Sequence, residues 1–120
     1  MRIMDNIKQG ARAVGGYAAV TAGTTQTQAG ATPLTGAINY VTTGNASDGV
    51  LLPSGYAVGD MVIVVNSSAN ALNVYPGTGG KINNAGSAND AKALAANTTG
   101  LYISLGSNNW AAIYDTDTTS

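Results

Sequence analysis

The longest run of large apolar residues is Met61-Val62-Ile63-Val64-Val65. Most of it is β-branched, so it predicts a strand rather than a helix. A half-exposed strand alternates apolar with polar residues, and this one does not, so both of its faces are expected to be covered. Asn66-Ser67-Ser68-Ala69-Asn70 interrupts the run, and Leu72-Asn73-Val74-Tyr75 resumes extended chain with Leu72 and Val74 on one face. Pro76-Gly77 and Gly79-Gly80 then turn it again. From Gly49 to Asn83 the pattern predicts a tight antiparallel meander.

The same reading predicts further short strands. Ala37–Thr43 places Ile38 and Tyr40 on one face and Asn39 and Val41 on the other, and Val50-Leu51-Leu52 stops at Pro53. Leu101, Ile103 and Leu105 share a face, Gly106–Asn109 reads as a hairpin loop, and Trp110–Tyr114 closes the sheet. Ala91–Ala96 has helix-favouring alanines, but close flanking strands favour extended chain. Tyr17–Thr25 is a first strand or an extended lead-in, and Gln26–Pro33 reads as a linker.

About seven strands with regular turn signals predict an all-β body, a small antiparallel β-sandwich or barrel of jelly-roll-like type with an extended N-terminal arm. No segment is long enough for a helical crossover, so a parallel α/β sheet is not expected. The division is an arm and linker at 1–35, a β domain at 36–114 and a polar tail at 115–120. Ile63, Leu72, Val74, Leu101, Ile103 and Trp110 are the expected core. Apolar residues beyond that need, with Val62 and Val64 opposite Met61, Ile63 and Val65, are expected to meet other subunits.

Composition narrows the function. The 120 residues suffice for one domain, and they include no Cys, His, Phe or Glu. Thiolate and imidazole chemistry is therefore excluded, and a chain without cysteine fits synthesis in a reducing compartment. Only 9% of residues are charged, against roughly 25% in ordinary domains, which suits a surface largely covered by partners or a protein working outside a crowded cytoplasm. No apolar run approaches a membrane span, and the start lacks the apolar stretch of a signal peptide. Arg2, Lys8 and Arg12 make the first residues weakly basic on an otherwise acidic chain. Three cations are too few for nucleic acid, so a polar contact with another protein is the expected use. Ile3, Met4 and Ile7 add a short apolar stripe to this segment, which reads as a flexible arm or a short helix.

Candidate chemistry is sparse. Asp115 and Asp117, or Asp48 and Asp60, could act as paired carboxylates, but their spacing matches no calcium loop, and solvated loop aspartates are the expected reading. Gly77-Thr78-Gly79-Gly80-Lys81 lacks the spacing and the following helix of a phosphate loop and reads as a turn. Tyr17, Tyr40, Tyr56, Tyr75, Tyr102, Tyr114 and Trp110 could stack sugars or bases, though core or subunit contact is the stronger expectation. No cofactor, metal or catalytic residue is expected.

The residues Gly49-Val50-Leu51-Leu52-Pro53, Gly59-Asp60, Val64-Val65-Asn66, Ala71-Leu72-Asn73-Val74-Tyr75-Pro76, Gly80-Lys81-Ile82-Asn83 and Trp110 form a series. It resembles a small β domain of tailed-bacteriophage virion proteins, among them capsid decoration (cement) proteins and fibre-type appendages. The resemblance covers roughly residues 36–114, about two-thirds of the chain, and rests on turn and core residues. It implies a non-enzymatic structural role as a homotrimer on the outer capsid surface, made in the host cytoplasm, with the major capsid protein and itself as partners and neither nucleic acid nor membrane. With no long fibrous extension, a standalone decoration protein is favoured over a fibre. Arg2, Ile3, Met4, Ile7, Lys8 and Arg12 are the candidate capsid contacts, and the alternative is a receptor- or glycan-binding module of a fibre or tail.

Overall fold

In a computed structural model the described residues, 16–84 and 86–115, form nine strands and no helix. The strands are β1 (Tyr17–Thr21), β2 (Thr32–Pro33), β3 (Ile38–Thr42), β4 (Gly49–Leu51), β5 (Met61–Asn66), β6 (Leu72–Tyr75), β7 (Lys92–Leu94), β8 (Thr98–Gly106) and β9 (Asn109–Asp115). They build a five-stranded sheet ordered β1-β3-β5-β8-β9 and a four-stranded sheet ordered β2-β4-β6-β7. The all-β expectation holds, and within Ala91–Ala96 residues Lys92–Leu94 are extended, as β7.

The antiparallel expectation is corrected. β1, β3 and β5 run parallel, as do β2, β4 and β6. Only β5–β8, β6–β7 and β8–β9 are antiparallel. Up to β6 the chain changes sheet after every strand, so each strand pairs with the one two places away. The link between parallel neighbours thus runs through a strand of the opposite sheet, replacing the usual helical crossover. The turns within the predicted Gly49–Asn83 meander are in fact corners between sheets, since it is two strands of one sheet with β5 of the other between them. The true hairpin is β8–β9, turned by Ser107 and Asn108 with φ of 53° and 61°, the paired positive values that a two-residue primed turn requires.

The segment read as lead-in and linker belongs to this winding. Residues 17–35 supply β1 and β2 and bury Val20, Ala22, Ala31 and Leu34. Gln28 donates through Nε2 to the Pro76 carbonyl at 2.8 Å, fixing that loop to the body.

One core lies between the sheets. Val20, Val41, Val62, Val64, Tyr102 and Trp110 enter it from the larger sheet, and Val50, Leu72, Val74 and Leu94 from the smaller. Leu72, Val74 and Trp110 are buried as expected. Ile63, Leu101 and Ile103 are not: β5 buries Val62, Val64 and Asn66, β8 buries Tyr102 and Ser104, and the expected core residues lie on the other face. The phase of β8 follows from Gly100. A Cβ there would lie 2.7 Å from Tyr102 Cε1, so the Tyr102 ring occupies the space that a side chain at 100 would fill. Ser104 is accommodated by donating to the Tyr56 carbonyl at 3.1 Å and accepting from the Gly106 N–H at 3.2 Å.

Two buried asparagines serve the backbone between strands. Asn39 donates to the carbonyls of Gly36 (2.8 Å) and Ile63 (3.2 Å) and accepts from the Gly36 N–H (3.0 Å). Asn66 donates to Asn70, Leu94 and Ala95 carbonyls at 2.8–3.1 Å and accepts from Ser68. Amide groups suit this role because they offer donor and acceptor together.

Replacing Leu72 by Ala should lower unfolding free energy by about 2–5 kcal/mol in urea titration, since the side chain is fully buried. Gly100→Ala should cost about 1–3 kcal/mol by forcing Tyr102 from its place. Shortening Tyr102 to Leu in the same chain should recover part of the Gly100→Ala loss, an interaction visible in a double-mutant cycle.

Candidate interaction surface

The outer face of the five-stranded sheet is the surface with the most to offer. The register places Tyr17, Ile38, Ile63, Leu101 and Ile113 side by side across all five strands. Ala19, Tyr40, Val65, Thr99 and Asp115 form the next row, and Met61, Ile103 and Ala111 a third. Alternation puts these positions opposite the buried ones. Tyr17 is 64% exposed, Tyr40 43%, Leu105 52% and Ile113 59%, whereas Ile38, Ile63 and Leu101 are half-buried among their neighbours. Asp115, at one corner, is the single charge in the three rows. The expectation that both faces of β5 are covered is therefore met on one face; among the described residues nothing lies over the other. Tyr17 and Tyr40 stand together with ring centroids 6.4 Å apart and planes at 39°.

The remaining aromatic residues do not join them. Tyr56 packs on Trp110 at 5.9 Å, and Tyr75 lies against Gly49. Tyr102 and Tyr114 meet edge to face at 6.2 Å inside the body. The stacking platform is thus reduced to two tyrosines, and the others serve the interior.

The carboxylates separate likewise. Asp48, Asp60 and Asp90 each accept through Oδ2 from the backbone N–H three residues earlier, on Asn45 (3.2 Å), Ala57 (3.1 Å) and Ser87 (2.9 Å). In each case the aspartate's own N–H donates back to that same residue's carbonyl. Three loops are closed by one reciprocal device, which explains why aspartate recurs at their ends. Asp48 is fully buried, and its Oδ1 has no partner among the described residues. No group of three or more His, Cys, Asp or Glu that could hold a metal occurs among the described residues.

The glycine-rich stretch is a turn, closed by the Gly80 N–H on the Gly77 carbonyl at 2.9 Å. It lies against the β8–β9 turn, where Asn108 donates to the Thr78 carbonyl at 3.0 Å. A Cβ on Gly80 would overlap the Asn108 backbone, so close packing and not phosphate binding accounts for that glycine.

The candidate contacts Arg2, Ile3, Met4, Ile7, Lys8 and Arg12 lie outside the described residues, as does Asp117. The outer-face rows were missed as a surface because Met61–Val65 is apolar on both faces and because Leu101, Ile103 and Leu105 look more hydrophobic than Tyr102 and Ser104. The signal was Gly100 beside an aromatic residue two positions on, and Asn39 and Asn66 placed to face inward.

These features define an all-β protein of two mixed sheets with one broad, largely apolar sheet face that carries a single charge. No protein-family model matches the chain, and a search of curated proteins finds no match.

Burial lifts the Tyr102 phenol far above its ordinary pKa, and the adjacent Tyr114 lifts it further. Burial raises Tyr114 too, with Tyr102 pulling the other way. Among the described residues neither hydroxyl has a hydrogen-bond partner. In the unfolded chain a tyrosine ionises near pH 10. Above that pH the unfolded state releases a proton that the folded Tyr102 retains, so stability is full below about pH 10 and falls as pH rises beyond it. The expected slope is up to about 1.4 kcal/mol per pH unit for this group. Tyr102→Phe should flatten it in chemical denaturation followed from pH 7 to 11, at little cost near neutrality because an unpaired hydroxyl is removed.

Proposed function

We propose that this chain is a structural virion protein that decorates a phage capsid, binding the assembled coat lattice as a homotrimer. The observation that carries the reading is the largely apolar outer face of the five-stranded sheet, with one charge at its corner, on a body whose loop aspartates are used to close its own turns. Such a surface suits assembly with other proteins better than recognition of a charged ligand. The phage resemblance of residues 36–114 supplies the setting: the major capsid protein as partner, the outer capsid surface as location and the host cytoplasm as place of synthesis. In this reading the two sheets are the layers of a sandwich, and the protein performs no catalysis.

Stabilisation follows from mass action. A protein that binds only the assembled shell shifts the equilibrium against disassembly, by about 2.7 kcal/mol per site at a free concentration one hundred times Kd. Residues Arg2, Ile3, Met4, Ile7, Lys8 and Arg12 are the proposed grip on the lattice, combining charge with a small apolar stripe. A second reading, a receptor- or glycan-binding module of a fibre or tail, is favoured by the exposed Tyr17–Tyr40 pair, since paired rings can stack on a sugar.

Co-sedimentation with purified expanded shells tests the proposal. The protein should pellet with shells to a saturating stoichiometry and raise their melting temperature, and deleting residues 1–14 should reduce occupancy while leaving the assembled state of the body intact. Absence of shell binding together with retention on a glycan array, lost in Tyr40→Ala, would favour the second reading.

A further inference from the structure

We infer that the outer face of the five-stranded sheet is the surface through which copies of this chain associate, so that its occupant is the same face of further copies. The inference takes the subunit number, three, from the function proposed above, and takes the location of the contact from the rows described here.

Size is the first argument. Two rows across five strands at about 4.8 Å spacing and a third across three, with alternate positions about 6.8 Å apart, give a projected area of roughly 420 Å². That is the size of the largest apolar patch on a typical soluble monomer, a patch that is often functional. Tyr17, Tyr40 and Ile113, all substantially exposed, stand out from it and add accessible area.

Charge is the second. The three rows hold one charged residue, Asp115, at a corner. Nucleic acid and anionic lipid headgroups find no cation there to pair with. A copy of the same face presents the same lack of charge, so like charges meet nowhere but at the Asp115 corner, and apolar rows meet apolar rows. Three copies set with this face inward enclose one apolar axis, with the half-buried Ile63 and Leu101 at its centre and the more exposed Tyr17 and Ile113 at the two margins.

The contrast with the smaller sheet supports the choice. Its outward rows are Gly49, Asn73 and Ala93, and Pro33, Leu51 and Tyr75; the second is apolar but only three residues wide, and its Tyr75 is buried against Gly49 rather than exposed.

Light scattering coupled to size-exclusion chromatography on the full chain tests the inference. Wild type should run as an assembly at micromolar concentration. Ile113→Lys and Tyr17→Lys, on opposite edge strands and both largely exposed, should weaken association by at least about tenfold, while circular dichroism keeps the wild-type β spectrum. Ala93→Lys, on the outer face of the other sheet, should leave assembly unchanged. A monomeric wild type would overturn the inference, as would an assembly that both lysine variants leave intact. Shell binding is scored separately: an assembly dispersed by the lysine variants but inert toward shells keeps this interface and removes the decoration role, whereas a monomer that decorates shells does the reverse.

Discussion

The constraint on which the structure depends is that its first six strands must alternate between two sheets while sharing one core. Each strand is hydrogen-bonded to the strand two places away and turns its inner side chains into the core shared with the opposite sheet. No coil of this winding is stable alone, since one strand of each sheet cannot bury its apolar face without the next coil beside it. Val20 and Val41 on one side and Val50 and Val74 on the other stand in register in successive coils, and the buried Asn66 takes the next place beside Val41. The last three strands end the winding by reversing direction: β7 returns along β6, β8 along β5, and β9 along β8.

A winding of this kind has many corners, and corners leave backbone groups without ladder partners. The chain answers with asparagine and aspartate. Asn39 and Asn66 carry their amides into the interior and donate to backbone carbonyls of Gly36, Ile63, Leu94 and Ala95. Asn83 does the same at the β9 edge, accepting from the Ala112 N–H at 2.7 Å and donating to its carbonyl. Asn83, Asn84, Asn89, Asn97 and Asn108 also hold positive φ, which asparagine tolerates better than most residues. The low charge and high amide content thus arise partly from the fold, before any partner is considered.

What remains after these internal uses is a face. The larger sheet has one side committed to the core and one side that is apolar without being covered by described residues. Burying that second side in an assembly would join subunit contact to the same strands that build the interior, so a change at β5 or β8 would act on folding through Val62, Val64 and Tyr102 and on association through Ile63 and Leu101. In such an arrangement a small domain gains stability that its single core supplies only modestly.

The strands at Ala37–Thr43, Met61–Asn66, Leu72–Tyr75 and Trp110–Tyr114, the extended state of Lys92–Leu94 within Ala91–Ala96 and the turn at Gly77–Lys81 were legible from β-branched runs, alternation and turn residues, because these are local properties of the chain. Burial of Leu72, Val74 and Trp110 was legible for the same reason. Pairing direction was not. A short loop reads alike whether it joins neighbours in one sheet or turns a corner to the other, and only the packing of both sheets on one core distinguishes them. Nor could alternation alone say which side of β5 and β8 faces inward. Met61–Val65 is apolar on both sides, and in β8 the missing side chain of Gly100 lets Tyr102 outcompete Leu101 and Ile103 for the interior. The sequence by itself determined where the chain is extended and where it turns; the tertiary structure decided which strands meet and which apolar face is left for a partner, because those depend on contacts between residues far apart in the chain.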